Sequence, residues 1–133
     1  MLYSCNLGFN NTDLGGLLKH RLGTDIYVEN DANVAAYGEV LGGAAKGYKD
    51  VVVITLGTGV GGGIIIGGKI YTGFNFCGAE LGHVVIEYNG RQCNCGRKGC
   101  FEAYSSATAL ITATKKAMEE DKDSAMWNIA GSI

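Results

Sequence analysis

The feature that most constrains this chain is residues 51–68, "VVVITLGTGVGGGIIIGG": a β-branched run enters a glycine cluster and a second apolar run leaves it. Val51–Leu56 reads as a buried strand. Gly57, Gly59 and Gly62 meet the G-x-G-x-x-G spacing of a dinucleotide fingerprint. That fingerprint also needs a helix behind its glycines, whose N-terminus meets the pyrophosphate. Here Ile64-Ile65-Ile66 follows, so residues 60–73 read as a hairpin turning at Gly67-Gly68. A P-loop fails as well, because no Gly-Lys-Ser/Thr is present. What remains is a strand–turn–strand whose glycines let backbone N–H groups approach an anion.

The flanking sequence alternates strand and helix signals, which points to an α/β class. "TDLGGLLKHRL" carries Leu14, Leu17, Leu18 and Leu22 at helical spacing, with Thr12 as candidate N-cap and Gly23 as the terminating glycine. Asp13-Leu14-Gly15-Gly16 sits in this helical stripe without a preceding apolar strand, so it reads as helix rather than as a phosphate loop. Residues 25–30 read as a strand and 31–45 as a helix of small residues. A hairpin turning at Asn89-Gly90 and a long helix over 101–120 complete the reading.

Composition narrows the function classes. Among 133 residues, 47% are hydrophobic and 18% charged, and the net charge is −2. This is a single-domain balance, with neither the basic footprint of a nucleic-acid binder nor an apolar run long enough for a membrane span. Five cysteines without a secretory signal place the chain in a reducing cytoplasm. Cys5 and Cys77 read as small buried residues. The other three crowd into "CNCGRKGC" as Cys93, Cys95 and Cys100, ten residues after His83 and its hairpin. Three thiolates and one imidazole make a closed tetrahedral Zn²⁺ shell of the structural kind.

Two further groups carry candidate chemistry. Asp31 stands at a strand-to-helix junction, where a carboxylate can act as general base toward a hydroxyl, with Asn30 beside it in sequence. Glu80, His83 and Glu102 converge if the metal folds the loop back. With one ring nitrogen of His83 on the metal, the other is a fixed N–H donor suited to a polyhydroxylated ligand.

Together "VENDANVAAYGE", "LGTGVGGGII", "GAELGH" and "CNCGRKGCFEAYSSAT" resemble the bacterial ROK sugar kinases and repressors, and most nearly the Firmicutes-type glucokinases among them. The resemblance implies a partial actin-like/hexokinase fold with a zinc-stapled loop, residues 1–46 carrying the catalytic base and 47–133 the second phosphate loop and zinc/sugar signature. It implies Asp31 as catalytic base, and Asn30, Glu80, His83 and Glu102 as sugar contacts. Gly57, Thr58 and Gly59 would face the phosphates of ATP with its Mg²⁺, and His83, Cys93, Cys95 and Cys100 would hold zinc. The implied reaction is phosphorylation of a hexose, glucose foremost. The family kinases open with a D-x-G-G-T strand that is missing here, so the chain is expected to be a central segment of a longer protein, with reduced or no activity alone. Exposed sheet edges would favour a homo-oligomer. The alternatives are a sugar-responsive ROK repressor, an N-acetylhexosamine kinase and a zinc-stapled domain without catalysis.

Overall fold

The computed structural model describes residues 3, 4 and 8–130. The chain divides into two compact units, 1–30 and 31–133. In the first, β1 (Tyr3–Ser4) pairs antiparallel with β2 (Phe9–Asn10), and α1 (Leu14–Leu22) follows. The N-cap of α1 is Asp13, not Thr12: its carboxylate accepts the Gly16 amide at 3.0 Å, which puts the helix start one residue later. Gly23 ends the helix in the left-handed conformation, as expected, its amide donating to the Lys19 carbonyl. Residues 25–30 do not form the expected strand. Among the described residues no strand pairs with them, and Tyr27 and Val28 stand exposed, so the β-branched composition has no ladder to join.

The second unit is built on a three-stranded antiparallel sheet of order β3-β4-β5 (Val51–Leu56, Val60–Ile66, Lys69–Ile70). Val53 faces Gly63 and Leu56 faces Val60 in the register. The β4–β5 turn has φ of +57° at Gly67 and +78° at Gly68, the backbone of a type I′ hairpin. Both runs predicted from the opening stretch are therefore strands.

Small residues decide the packing around β4. α2 (Asp31–Gly42) buries Ala32, Asn33 and Ala36. A Cβ on Gly63 would come within 2.5 Å of the Ala36 Cβ and 2.6 Å of the Ala32 carbonyl, so α2 lies directly on the strand backbone. On the opposite face a Cβ on Gly62 would sit 2.7 Å from Leu81 Cγ and 2.5 Å from the Ala79 carbonyl. The helix stops at Gly42 rather than at 45: the Ala45 amide doubles back to the Glu39 carbonyl at 3.2 Å, and the Glu39 carboxylate takes the Ala44 amide at 2.8 Å.

Residues 71–101 hold little regular structure. The hairpin expected at Asn89-Gly90 is absent. Instead a single 3₁₀ turn at Leu81–His83 is followed by two isolated bridges, Val85 with Cys100 and Gln92 with Lys98. The long helix expected over 101–120 is broken at Ser106, whose ψ of 161° separates α3 (Glu102–Ser105) from α4 (Ala107–Glu120). Ser106 then caps α4 by accepting the Ala109 amide at 3.1 Å, an interaction worth about 1 kcal/mol. α5 (Met126–Ala130) closes the described chain. Cys77 is exposed rather than buried, lying in the irregular loop before the 3₁₀ turn, and Cys5 lies outside the described residues. Among the described residues, no helix is long and apolar enough to cross a membrane.

Candidate functional site

The β3–β4 turn, Gly57–Gly59, is fixed from several sides. Its ends close on each other through the Gly57 amide and the Gly59 carbonyl, 3.0 Å apart. The Ala107 amide at the start of α4 donates to the Gly57 carbonyl, and the Thr108 hydroxyl to the Thr58 carbonyl, both at 2.9 Å. At the other end of the turn, the Val60 amide donates to Glu102 Oε2 at 2.9 Å. That carboxylate approaches so closely that a Cβ on Gly59 would lie 2.5 Å from it, so a side chain there would have to displace the Glu102 carboxylate.

Glu102 also touches the cysteine cluster: its Oε1 accepts from the Cys93 thiol at 3.6 Å. One carboxylate thus joins the glycine turn to the thiols. The ligand atoms of His83, Cys93, Cys95 and Cys100 all lie within 4.8 Å of one another. Cys95 and Cys100 sulfurs are 3.6 Å apart, and Cys93 Sγ is 3.7 Å from His83 Nδ1. A tetrahedral ion with bonds of about 2.3 Å to sulfur and about 2.0 Å to nitrogen spaces its ligands about 3.5–3.8 Å apart. Two of the ligand pairs already have that spacing, and the four side chains could hold such an ion, with Nδ1 of His83 facing Cys93.

The backbone prepares this arrangement. Cys93 and Arg97 close a tight loop, the Cys93 amide donating to the Arg97 carbonyl at 2.9 Å, and Gly96 donates back to the Cys93 carbonyl at 3.0 Å. Hydrogen bonding from the Arg97 backbone pulls the Cys95 thiol down to about 6, whereas burial pushes Cys93 up to about 12. These residues could hold a divalent cation, which would supply the positive charge that favours thiolate ligands.

The other expected residues are placed as follows. Asp31 is the first residue of α2 and exposed, its Oδ1 accepting the Ala32 amide at 2.9 Å. Asn30 closes the first unit, its amide donating to Glu29 Oε1 at 2.9 Å. Glu80 is exposed immediately before the 3₁₀ turn that carries His83. The structure therefore brings His83, Glu102 and the three cysteines into one cluster, with Gly57–Gly59 alongside through Glu102. A cleft of about 500 Å³ borders this region, with Thr58, Cys93, Glu102, Ser106, Thr108 and Lys116 among its walls.

Two contributors escaped sequence reasoning. Thr108 holds the turn, although nothing in "SSATAL" distinguishes it from any helical threonine. Tyr104 clasps the cysteine loop: its oxygen accepts the Arg91 amide at 2.6 Å, and the Arg91 guanidinium stands 4.7 Å from its ring centroid. Its phenol donates to Glu87, which raises the Tyr104 pKa. No spacing rule links positions 87, 91 and 104.

The sequence matches the ROK family over residues 1–132. The chain belongs to the ROK family. Glucokinase from Thermotoga maritima is 44% identical over 124 residues, covering 93% of this chain and 39% of the relative. The ROK glucokinase of Streptomyces griseus, solved with glucose and AMPPNP, superimposes with a TM-score of 0.83 at 42% identity, over 92% of this chain and 39% of that one. A ROK transcriptional regulator, a homologue of the E. coli MLC protein, gives a TM-score of 0.85 at 27% identity, over 97% of this chain and 33% of that one. The chain thus spans well under half the length of these ROK relatives. Its mixed α/β architecture is that of ROK glucokinases and regulators alike.

Proposed function

We propose that this chain carries the sugar site, a structural zinc site and the second phosphate loop of an ATP-dependent hexose kinase, with glucose as the foremost acceptor and glucose 6-phosphate as the product. The observation that carries the reading is Glu102. One carboxylate grips the glycine turn through the Val60 amide and lies against the metal-type cluster through Cys93, which ties a phosphate-facing element to a hydroxyl-recognising one. Asp31 accepts the proton of the hexose hydroxyl. The freed oxygen attacks the γ-phosphorus, and the bond to the β-phosphate oxygen breaks, leaving ADP with the electron pair. Asn30, Glu80, His83 and Glu102 orient the sugar hydroxyls, each of which donates and accepts. Amides at Gly57, Thr58 and Gly59 face the phosphates, and ATP arrives with Mg²⁺. His83, Cys93, Cys95 and Cys100 would hold zinc, which would tie the loop together; His83, ligating through Nδ1, would keep Nε2–H as a donor. The compartment is the cytoplasm. β3 is an edge strand, and Val52, Ile54 and Leu56 form an exposed apolar face on it; both favour association with a second copy.

The test is Asp31→Asn in the longest natural chain that carries these residues. The substitution keeps the shape and removes the base, so turnover falls by about 10²- to 10⁴-fold. Glucose binding by calorimetry stays within a few-fold. Unchanged turnover removes Asp31 from the chemistry. A second reading, a sugar-responsive regulator, is favoured by the equal structural likeness to the ROK regulator; it expects sugar binding without any ATP turnover in the unsubstituted protein. N-acetylhexosamines assayed beside glucose separate the kinase subclasses.

A further inference from the structure

We propose that Thr108 is a positioning residue for the glycine turn, and that α4 aims the Thr58 and Gly59 amides at the phosphate. This rests on the kinase reading above and specifies which atoms of that site are set by which neighbours.

Thr108 is the second residue of α4, and the helix does not need its hydroxyl. Ser106 already caps α4 through the Ala109 amide. Thr108 is exposed, so water could satisfy the hydroxyl, yet it donates to the Thr58 carbonyl fifty positions away in sequence, at 2.9 Å. One residue earlier, the Ala107 amide is among the helix-start donors without an intrahelical acceptor, and it is satisfied by the Gly57 carbonyl. Two consecutive carbonyls of the turn are therefore drawn onto α4.

Peptide planarity converts this into direction. In a trans peptide the C=O and the following N–H point opposite ways. With the Gly57 and Thr58 carbonyls turned toward α4, the Thr58 and Gly59 amides are turned away from it, side by side. Two adjacent donors facing one direction form a ready anion cradle. Glu102 anchors the next amide, that of Val60, from the metal-type cluster, so the turn cannot rotate as a unit. A threonine suits the task because its branched Cβ restricts χ1 and holds the hydroxyl in place.

The test compares Thr108→Val, which keeps the shape and loses the donor, with Thr108→Ser, which keeps the donor. Zinc-loaded full chain with glucose present is measured by amide hydrogen exchange and by titration with Mg–AMPPNP. Loss of a single neutral hydrogen bond predicts exchange about three- to tenfold faster at the Gly57 and Val60 amides of Thr108→Val, and AMPPNP affinity lower by a similar factor. The β3–β4 ladder amides around Val53 and Gly63 and the glucose affinity stay unchanged, and Thr108→Ser behaves as the parent. Turn exchange and nucleotide affinity unaltered in Thr108→Val overturn the proposal, as does faster exchange without loss of affinity. If the unsubstituted chain shows no AMPPNP binding, the kinase reading fails for this chain, and the exchange comparison alone decides whether Thr108 holds the turn.

Discussion

Residues 51–66 pair along one continuous ladder, from Val51 with Ile65 to Leu56 with Val60, whereas residues 71–101 of the same unit rely on scattered turns, two isolated bridges and a side-chain cluster. The first region is held by backbone pairing and by alanine-on-glycine contact with α2. The second has a core that consists largely of sulfur: Cys93 and Cys100 are buried there, while Val84, Val85 and Ile86 are exposed. A segment that buries so few apolar side chains gains little from the hydrophobic effect. Under the proposed zinc reading, its conformation would depend on metal held by the cysteines.

Metal removal should break that contrast most sharply. With zinc bound, strong chelation or Cys100→Ser is expected to strip hydrogen-exchange protection from residues 81–101 while the β3–β4 ladder persists, because the free energy of binding a structural metal is free energy of folding. Uniform loss of protection across both regions, or none in either, would show that the two are not held by different means. Gly63→Ala attacks the other side of the comparison. The added methyl meets Ala36 and the Ala32 carbonyl, and the expected loss is about 1–3 kcal/mol in a urea melt, with metal stoichiometry unchanged. The smallest effect is expected from Tyr104→Phe, which deletes the acceptor of the Arg91 amide and the donor to Glu87 in the cysteine loop. It should cost about 0.5–1.5 kcal/mol and speed metal release to a chromogenic chelator. A Tyr104→Phe chain with the release rate of the parent would confine the clasp to decoration.

The same contrast explains what could be read from sequence. Val51–Leu56, the Gly67-Gly68 turn and α2 were legible because periodicity and turn chemistry act locally. The cysteine cluster was legible too, since ligand spacing is a chemical signal independent of secondary structure. The path between the ligands was not: Asn89-Gly90 has the dipeptide of a hairpin, yet Asn89 adopts φ +55° in a loop held by the Glu87, Gly99 and Tyr104 contacts. Residues 25–30 have strand composition, but strand formation needs a partner, and composition cannot supply one. The break at Ser106 was hidden because serine tolerates both mid-helix and cap positions, and the choice fell to the contacts of α4 with Gly57 and Thr58. Thr108 and Tyr104 act through tertiary contacts that no local pattern encodes.

The glycines of β4 have a further consequence. Helix α2, which begins with Asp31, rests on the strand at Gly63, and the turn that carries His83 rests on it at Gly62 from the other face. The gap between those two elements is one polypeptide thick, a dimension set by covalent bond lengths and planar peptides rather than by rotamers. It acts as a shim with no rotamers of its own, so no layer of side chains lies between the two elements at that point.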